Sequence, residues 1–388
     1  MLFRSVLEEL SPTSQEVTTN ELKFTVDNQD KSFNILNPTG VYNYLQRKQQ
    51  IFSYVGVETA TDSFEYIPLG VYYLSDWISD EGTLTASFTA NDVLNILSES
   101  TYRKSTYADI TLTNLATAIF ADVGITDYVI DSSLDSITVK GYMPNCTHRE
   151  ALQRVAVAGM CVIYSDRYGV IQIKPAEAVA TGITIDFDNM YNSPKITLDK
   201  LINTVEVNNY SYTSLLSQKV YEGTVTLAGT TDVWLDYSKP ATGVSNSVTG
   251  GATVNSATYY TNSALLNITH TGATTITLTG TELSLSSSIY TVKDGTAPAG
   301  EKDYTVKVDN TLINSTTVAD SVADWILLES QKRNLYDINW RQDPSLEAGD
   351  LVVIEDDFGL NYTARLMEQN MEFNGALSGS SKGKGAST

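Results

Sequence analysis

The sequence is poor in the residues that build most catalytic and metal sites. Its 388 residues include only two histidines, His148 and His270, and two cysteines. Neither histidine has a Cys, a His or a carboxylate at ligand spacing, so we interpret both as ordinary capping or surface histidines. The motifs GxSxG, HExxH, GxxxxGK(S/T) and GxGxxG are absent. We therefore predict no enzyme activity, no catalytic residue, no cofactor and no metal site.

One acidic cluster leaves other chemistries open. Glu355, Asp356 and Asp357 follow each other between two predicted strands. A cation site and one half of a glycosidase pair are alternatives to a simple turn. Because adjacent residues on a turn point in different directions and no EF-hand spacing follows, we favour a solvated hairpin turn.

Basic residues are also scarce. There are 25 Lys and Arg against 46 Asp and Glu, which gives a net charge of −21. Proteins that grip nucleic acid neutralise phosphates with Lys and Arg, so this balance argues against a DNA-binding surface. It suits a channel through which DNA passes in transit.

Long apolar runs are absent. No stretch approaches the roughly 20 apolar residues that a membrane span requires, so we predict no such span. Residues 1–10 carry Arg4, Glu8 and Glu9 and do not resemble a signal peptide. Cys146 and Cys161 flank a predicted helix in a chain too large to need a disulfide, so we expect two free, partly buried thiols.

The chain is rich in the pattern of β-strands. Two stretches, 67–91 and 349–373, run through the same order of features. Each opens on a glycine, continues as an apolar run, reverses at an acidic turn with a glycine, and returns in a strand that begins Thr-Ala. We interpret them as the meanders of two related β-barrels at opposite ends of one chain.

The predicted fold class is mainly β with α+β: two related tube-like β-barrels, a small α+β domain between them and an inserted β-sandwich. Residues 223–302 are rich in Ser, Thr and Gly but keep short β-branched runs, which favours a folded insertion over a linker. The predicted regions are a first barrel at 1–100, an α+β domain at 101–182, a second barrel at 183–222 and 303–378, the insertion at 223–302, and a flexible tail at 379–388.

Four helices are expected among the strands. A short one is capped by Asn91 or Asp92, a second spans 113–122 and ends at Gly124, and a third starts at Thr147 with the capping box Thr-His-Arg-Glu. The fourth spans 317–333, where Glu329 can pair with Arg333 one turn on. After the third helix, residues 160–173 predict a hairpin.

Several phrases of the sequence resemble tail-hub proteins of phages and prophages of Gram-positive bacteria. In the C-terminal part they are Trp340, residues 346–350, the acidic turn and residues 372–379. In the N-terminal part they are residues 9–12, 20–28 and 37–45. The similarity covers about three quarters of the chain and leaves out roughly 223–302.

The resemblance implies a non-enzymatic baseplate hub at the distal end of a phage tail, assembled in the host cytoplasm and carried in the virion. In the T4-like family, two barrels per subunit lie side by side in a homotrimer, which continues the six-fold tail tube. The implied partners are the tail tube or distal tail protein, the tape-measure C-terminus, and tail-tip or receptor-binding proteins. A cell-wall-degrading activity would then belong to another polypeptide.

Aromatic residues on strands that alternate faces are the candidate subunit contacts. Some of them must point away from a barrel interior, and aromatic side chains are favoured at interfaces. These interface candidates are Tyr72, Tyr73, Trp77, Trp340 and Tyr362.

A carbohydrate-binding adhesin is the alternative function. The inserted β domain would hold a glycan by aromatic stacking, and the possible glycan contacts are Trp234, Tyr237, Tyr259 and Tyr260. The two roles are compatible, with binding in the insertion and scaffolding in the barrels. A peptidoglycan hydrolase is the third alternative.

Overall fold

The computed structural model describes residues 3–12, 15–176, 179–296, 298–300 and 302–385, without the side chain of Phe3. Strands form 55% of the described residues and helices 14%, so the predicted class, mainly β with α+β, is confirmed. Twenty-three strands and four α-helices occur in the described residues.

The strands of the first 200 residues alternate between one large sheet and several small ones. In chain order they are β1 (Phe3–Glu9), β2 (Glu21–Asp27), β3 (Gln50–Ala60), β4 (Ser63–Asp80), β5 (Thr85–Asn91), β6 (Thr101–Tyr102), β7 (Asp109–Thr111), β8 (Tyr128–Ile130), β9 (Thr138–Lys140), β10 (Cys146–Thr147), β11 (Cys161–Ser165), β12 (Ile171–Pro175), β13 (Val179–Ile185) and β14 (Lys195–Leu198).

The remaining strands include two very long ones. They are β15 (Ile202–Asp236), β16 (Ala241–Val248), β17 (Thr253–Tyr259), β18 (Ser263–Lys293), β19 (Tyr304–Val308), β20 (Asn334–Trp340), β21 (Asp350–Glu355), β22 (Asn361–Phe373) and β23 (Leu377–Gly385).

The four helices occur where the sequence predicts them. They are α1 (Val93–Ile96), α2 (Leu112–Val123), α3 (His148–Ala158) and α4 (Thr316–Ser330). Asp92 caps α1, and the capping box of Thr147 and Glu150 opens α3, as predicted. Helix α4 ends at Ser330, three residues before the predicted end, so Arg333 lies beyond it and donates to the carbonyl of Asp199. Glu329 instead pairs with Lys332 and with Arg365, each at 2.8 Å.

Both predicted meanders are confirmed, and they belong to one sheet. Strands β4 and β5 pair antiparallel, as do β21 and β22. The sheet has eleven strands in the order β14-β20-β23-β22-β1-β2-β5-β4-β3, with β21 beside β22 and β13 beside β21. Two separate closed barrels were expected, but none of the sheets among the described strands closes into a barrel.

Strand β1 joins the N-terminal and C-terminal halves of the large sheet. It pairs antiparallel with β2 on one side and with β22 on the other, so Val6 lies opposite both Leu22 and Met371. The N-terminal strand therefore connects the meander at 67–91 to the meander at 349–373.

The segment between the halves is helical and forms the largest core. Helix α2 packs against α3, α3 contacts α4, and α4 packs against β15, around fully buried side chains such as Phe120, Leu152 and Ile326. The predicted hairpin at 160–173 is confirmed as the antiparallel pair β11–β12, and β8 adds to it in parallel.

The Ser/Thr-rich region differs from the predicted sandwich of two sheets. Strands β15 and β18 pair along almost their whole length, from Thr204–Lys293 to Asp236–Ser263, in one sheet with β16, β17 and β19. The region has its own core, which includes Leu266 and Ile276. The pairing begins at Thr204 and continues past residue 223 into the region, with register shifts between Ser214 and Ser217 and between Lys219 and Tyr221.

The prediction of a flexible tail from residue 379 is wrong for residues 379–385. They belong to β23, which lies between β20 and β22. Small residues are required here: a Cβ on Gly379 would collide with the carbonyl of Asn370, and one on Gly385 would lie 2.7 Å from the oxygen of Thr363. Composition alone suggested a mobile tail, whereas backbone pairing on both sides orders it. Residues 386–388 lie outside the described residues.

Candidate interface surfaces and the junction between them

A buried arginine connects three distant segments of the chain. Arg167 lies in the turn between β11 and β12, and its side chain is 5% exposed. Its Nε donates to Glu8 Oε1 at 2.9 Å and its Nη2 to Glu8 Oε2 at 3.2 Å. Its remaining N–H groups donate to the carbonyls of Pro344 and Leu346, in the loop between β20 and β21. The guanidinium therefore joins β1, the α+β segment and the C-terminal meander.

Three carboxyl groups surround this arginine. Burial raises the pKa of Glu8 above its usual range, although the charge of Arg167 opposes this shift. Burial also raises the pKa of Glu347, whose carboxylate is 3.7 Å from Arg167, and that of Asp350. We call Glu8, Arg167, Glu347 and Asp350 the junction. A buried bidentate ion pair such as Arg167–Glu8 fixes the relative position of the segments it joins more than it adds to the free energy of unfolding.

The turn that presents Arg167 is organised by Asp166. The Oδ1 atom of Asp166 accepts the N–H groups of Tyr168 and Val170, both at 2.9 Å. Gly169 has φ +82° and donates to the carbonyl of Asp166 at 3.0 Å. An Asp at the first position and a Gly at the fourth therefore stabilise the turn. Arg167, at the second position, is thereby placed in the junction.

The acidic cluster Glu355-Asp356-Asp357 is a hairpin turn, as predicted. Asp356 Oδ1 accepts the N–H groups of Phe358 and Leu360 at 2.9 Å. Asp356 is buried rather than solvated. The carboxylates of Glu355 and Asp357 turn elsewhere, because they accept from the backbone of Phe187 and from Ser193 Oγ. The three groups diverge and do not form one site.

The predicted interface aromatics have very different environments. Tyr72 is 1% exposed and Trp340 is 4% exposed, so their side chains are core residues and offer no surface to a partner. Trp340 Nε1 donates to Ser381 Oγ at 2.9 Å, a bond inside the C-terminal half. Tyr73, Trp77 and Tyr362 are half-buried, and their role as subunit contacts stays a prediction.

The possible glycan contacts do not all lie together. Trp234 and Tyr260 stack with ring centroids 5.8 Å apart, and the guanidinium of Arg103 lies over Trp234 at 5.9 Å. Tyr259 and Tyr237 pack against the core of the Ser/Thr-rich region instead. The geometry therefore brings two of the four together, and glycan binding stays a prediction.

His148 is a buried structural residue. Its Nδ1 lies 2.8 Å from Ser100 Oγ and its Nε2 lies 3.1 Å from Asp122 Oδ2, and its ring packs edge-on against Tyr102. The sequence predicts a capping or surface histidine, and the burial was missed because Ser100 and Asp122 are distant in sequence. The prediction of two free cysteines is confirmed, and burial raises the pKa of Cys146 to about 11.

An exposed apolar ribbon on β3 and β4 was not predicted from the sequence. Strand β4 has 18 residues and β5 only 7, so residues 63–72 of β4 pair with β3 alone. We call the hairpin of residues 50–72 the arm. Its exposed apolar side chains include Phe52, at 57%, and Tyr66, at 64%, together with Tyr54, Val57 and Phe64. The mismatch between the strand lengths was the signal that could have revealed it.

In the described parts of the chain, no group of three or more His, Cys, Asp or Glu residues could hold a metal ion. A search of the same residues for a helix long and apolar enough to cross a membrane found none.

The fold has counterparts among solved structures. No protein-family model and no curated protein matches the chain. The 43 kDa tail protein of prophage MuSo2 from Shewanella oneidensis superposes with a TM-score of 0.52 at 12% identity, over 98% of this chain and 93% of that one. The tail protein from Neisseria meningitidis MC58 gives 0.51 at 10% identity, over 99% and 91%.

This chain has the fold of a phage tail protein. The superposition extends over both meanders, the α+β segment and the Ser/Thr-rich region alike, because almost the whole chain is covered. The tail-protein fold that the sequence resemblance implied is therefore confirmed.

Proposed function

We propose that the protein is a structural, non-enzymatic tail hub that closes the distal end of a phage tail tube as a homotrimer. The observation that carries this proposal is the pair of meanders in one continuous sheet. Strands β4–β5 and β21–β22 are similar units joined through β1, so three copies supply six similar units around an axis. That count matches a six-fold tube.

The junction supports the same role. A hub must hold its two sheet halves at a fixed angle while the tube and the tail tip are attached to it. Arg167 ties β1 to the loop before β21 with a two-pronged bond to Glu8, and both side chains are almost completely buried. The net charge of −21 agrees with a lumen that DNA crosses without binding.

The proposed partners are other tail components: the tail tube or distal tail protein, the tape-measure C-terminus, and tail-tip or receptor-binding proteins. The location is the distal end of the tail in the virion. Light scattering of the purified protein over a concentration series tests the stoichiometry. Three chains of 42.4 kDa predict a species of about 127 kDa, and a dimer would contradict the proposal.

A further inference from the structure

Among the described strands the large sheet has three edge strands, β3, β13 and β14; of these, β3 and β14 belong to different parts of the chain. Strand β3 is the last strand on one side and pairs only with β4 among the described residues; β14 is the last on the other side and pairs only with β20. Unpaired edges are templates for another strand, and soluble proteins usually cover them. Neither strand contains a proline, although Pro194 directly precedes β14 and Lys195 opens it.

The backbone of β3 directs hydrogen-bonding groups away from β4 at Phe52. Leu74 donates to the carbonyl of Gln49 at 2.9 Å, so Gln50 and Tyr73 form a non-hydrogen-bonded pair. Because this pattern alternates along an antiparallel ladder, Phe52 also turns its N–H and C=O away from β4. The base of the arm is anchored, since the guanidinium of Arg4 donates to Ser53 Oγ and to the carbonyl of Tyr54.

Strand β14, at the other end of the sheet, also directs backbone groups to its open side. Asp199 donates to the carbonyl of Arg333 at 2.8 Å, so Leu198 and Asn334 form a non-hydrogen-bonded pair. Leu198 and, two residues before it, Ile196 therefore direct their backbone groups to the open side. Both side chains are exposed as well.

The two edges are complementary in charge and in polarity. The arm carries Glu58, Asp62 and Glu65, and no Lys or Arg occurs between residues 50 and 66. Strand β14 begins at Lys195, and Lys200 follows it closely. Two acids lie beside it: Asp199, 3.3 Å from Lys384, and Asp337, opposite Lys195 on β20. Each edge also has exposed apolar side chains, Phe52 on β3 and Ile196 on β14, that would be buried by contact.

We propose that the β3 edge of one copy pairs with the β14 edge of the next copy, so that the large sheet continues from subunit to subunit. The contact joins two different surfaces, so it is heterologous and repeats in one direction until a ring closes. The inference rests on the proposed function for the size of that ring, which is three copies. The partner of the arm is thus a second copy of this chain.

Proline substitution at the outward-facing positions tests the pairing. Phe52→Pro and Ile196→Pro remove an outward N–H without removing a bond to β4 or β20, because proline is tolerated at the free side of an edge strand. The matched controls, Phe52→Ala and Ile196→Ala, remove the side chain and keep the N–H. We expect each proline variant to be a monomer at concentrations where the wild type is a trimer. Each alanine variant should remain a trimer, with an association about 10-fold weaker or less. Circular dichroism confirms that each variant is folded.

Cross-linking identifies the contact independently of any substitution. A mixture of ordinary and ¹⁵N-labelled protein is treated with a carbodiimide, which joins a Lys amine to a carboxylate in direct contact. We expect mixed-isotope peptide pairs that connect Lys195 or Lys200 to Glu58 or Glu65. A trimer that survives both proline variants, with mixed-isotope pairs elsewhere, would overturn the edge pairing and leave the proposed function intact. A wild-type monomer at every concentration would also overturn the pairing; imaging with tail tubes then decides the proposed function separately.

Discussion

The turn at 166–170 and the turn at 356–360 have the same construction and different surroundings. In each, an Asp accepts two backbone N–H groups at 2.9 Å, and the glycine at the fourth position has a positive φ. The aromatic residue at the third position, Tyr168 or Phe358, is exposed in both. The second position differs: Arg167 is buried in the junction, whereas Asp357 is exposed.

This difference shows where local sequence stops being informative. The pattern Asp-x-aromatic-Gly-aliphatic specifies the backbone, because a carboxylate and a left-handed glycine are what the turn needs. It does not specify what the turn contacts. That depends on Glu8, which is 159 positions away from Arg167.

The largest effect is expected from removing the side chain at the second position of each turn. Arg167→Ala leaves the carboxylate of Glu8 buried without its partner, so we expect a loss of about 3–5 kcal/mol in the free energy of unfolding. Asp357→Ala removes an exposed side chain that accepts one bond from Ser193, so we expect a change within about 0.5 kcal/mol. Urea unfolding followed by fluorescence measures both, and equal losses would mean that the junction is not structural.

A smaller difference is expected at the glycines. Gly359 has φ +73° and nothing closer to an added Cβ than 4.0 Å, so Gly359→Ala should cost about 1 kcal/mol for the left-handed backbone alone. Gly169 has φ +82°, and its added Cβ would lie 3.0 Å from Val71 Cβ. We expect Gly169→Ala to cost about 2–3 kcal/mol, because contact strain adds to the backbone term. Thermal unfolding of the two variants compares them directly, and a larger loss at Gly359 would contradict this account.

The smallest expected effect is a pH dependence of the destabilisation caused by Arg167→Ala in the junction. Glu8 has a raised pKa in the folded state, so its contribution to stability is present below its ordinary value of 4.5 and is lost as the pH rises through the raised value. Removing Arg167 removes the charge that opposes this shift. The destabilisation by Arg167→Ala should therefore be smaller at about pH 4 than at about pH 7.

Urea midpoints at the two pH values measure this difference. An Arg167→Ala effect that is constant, or larger in acid, would show that Glu8 does not carry the pH dependence.

Much of the fold could be predicted from the sequence because its signals are local. The capping box at Thr147, the helix at Leu112–Val123 and the two meanders follow from spacing within about a dozen residues. The continuity of the sheet could not be predicted, because it depends on β1 pairing with β22 across the whole chain. Strand β23 was missed because its glycines and serines carry no apolar pattern, and their role is to pack closely against neighbouring strands.

The interface candidates were predicted less well than the fold, for a related reason. Residue type identifies aromatics but does not say which face of a strand they occupy. Tyr72 and Trp340 face the core, whereas Phe52 and Tyr66 are exposed on the arm. A bulge in the β3–β4 pairing between Ser53 and Tyr54, opposite Gly70 and Pro68, changes the alternation at that point.

The central claim is that this protein closes the end of a tail tube. Electron microscopy of purified tail-tube protein, assembled with and without this protein, tests it most directly. We predict tubes that carry a three-fold symmetric cap at one end only, and no caps when the protein is omitted. Tubes that remain open at both ends, at protein concentrations where the chain is trimeric, would contradict the account.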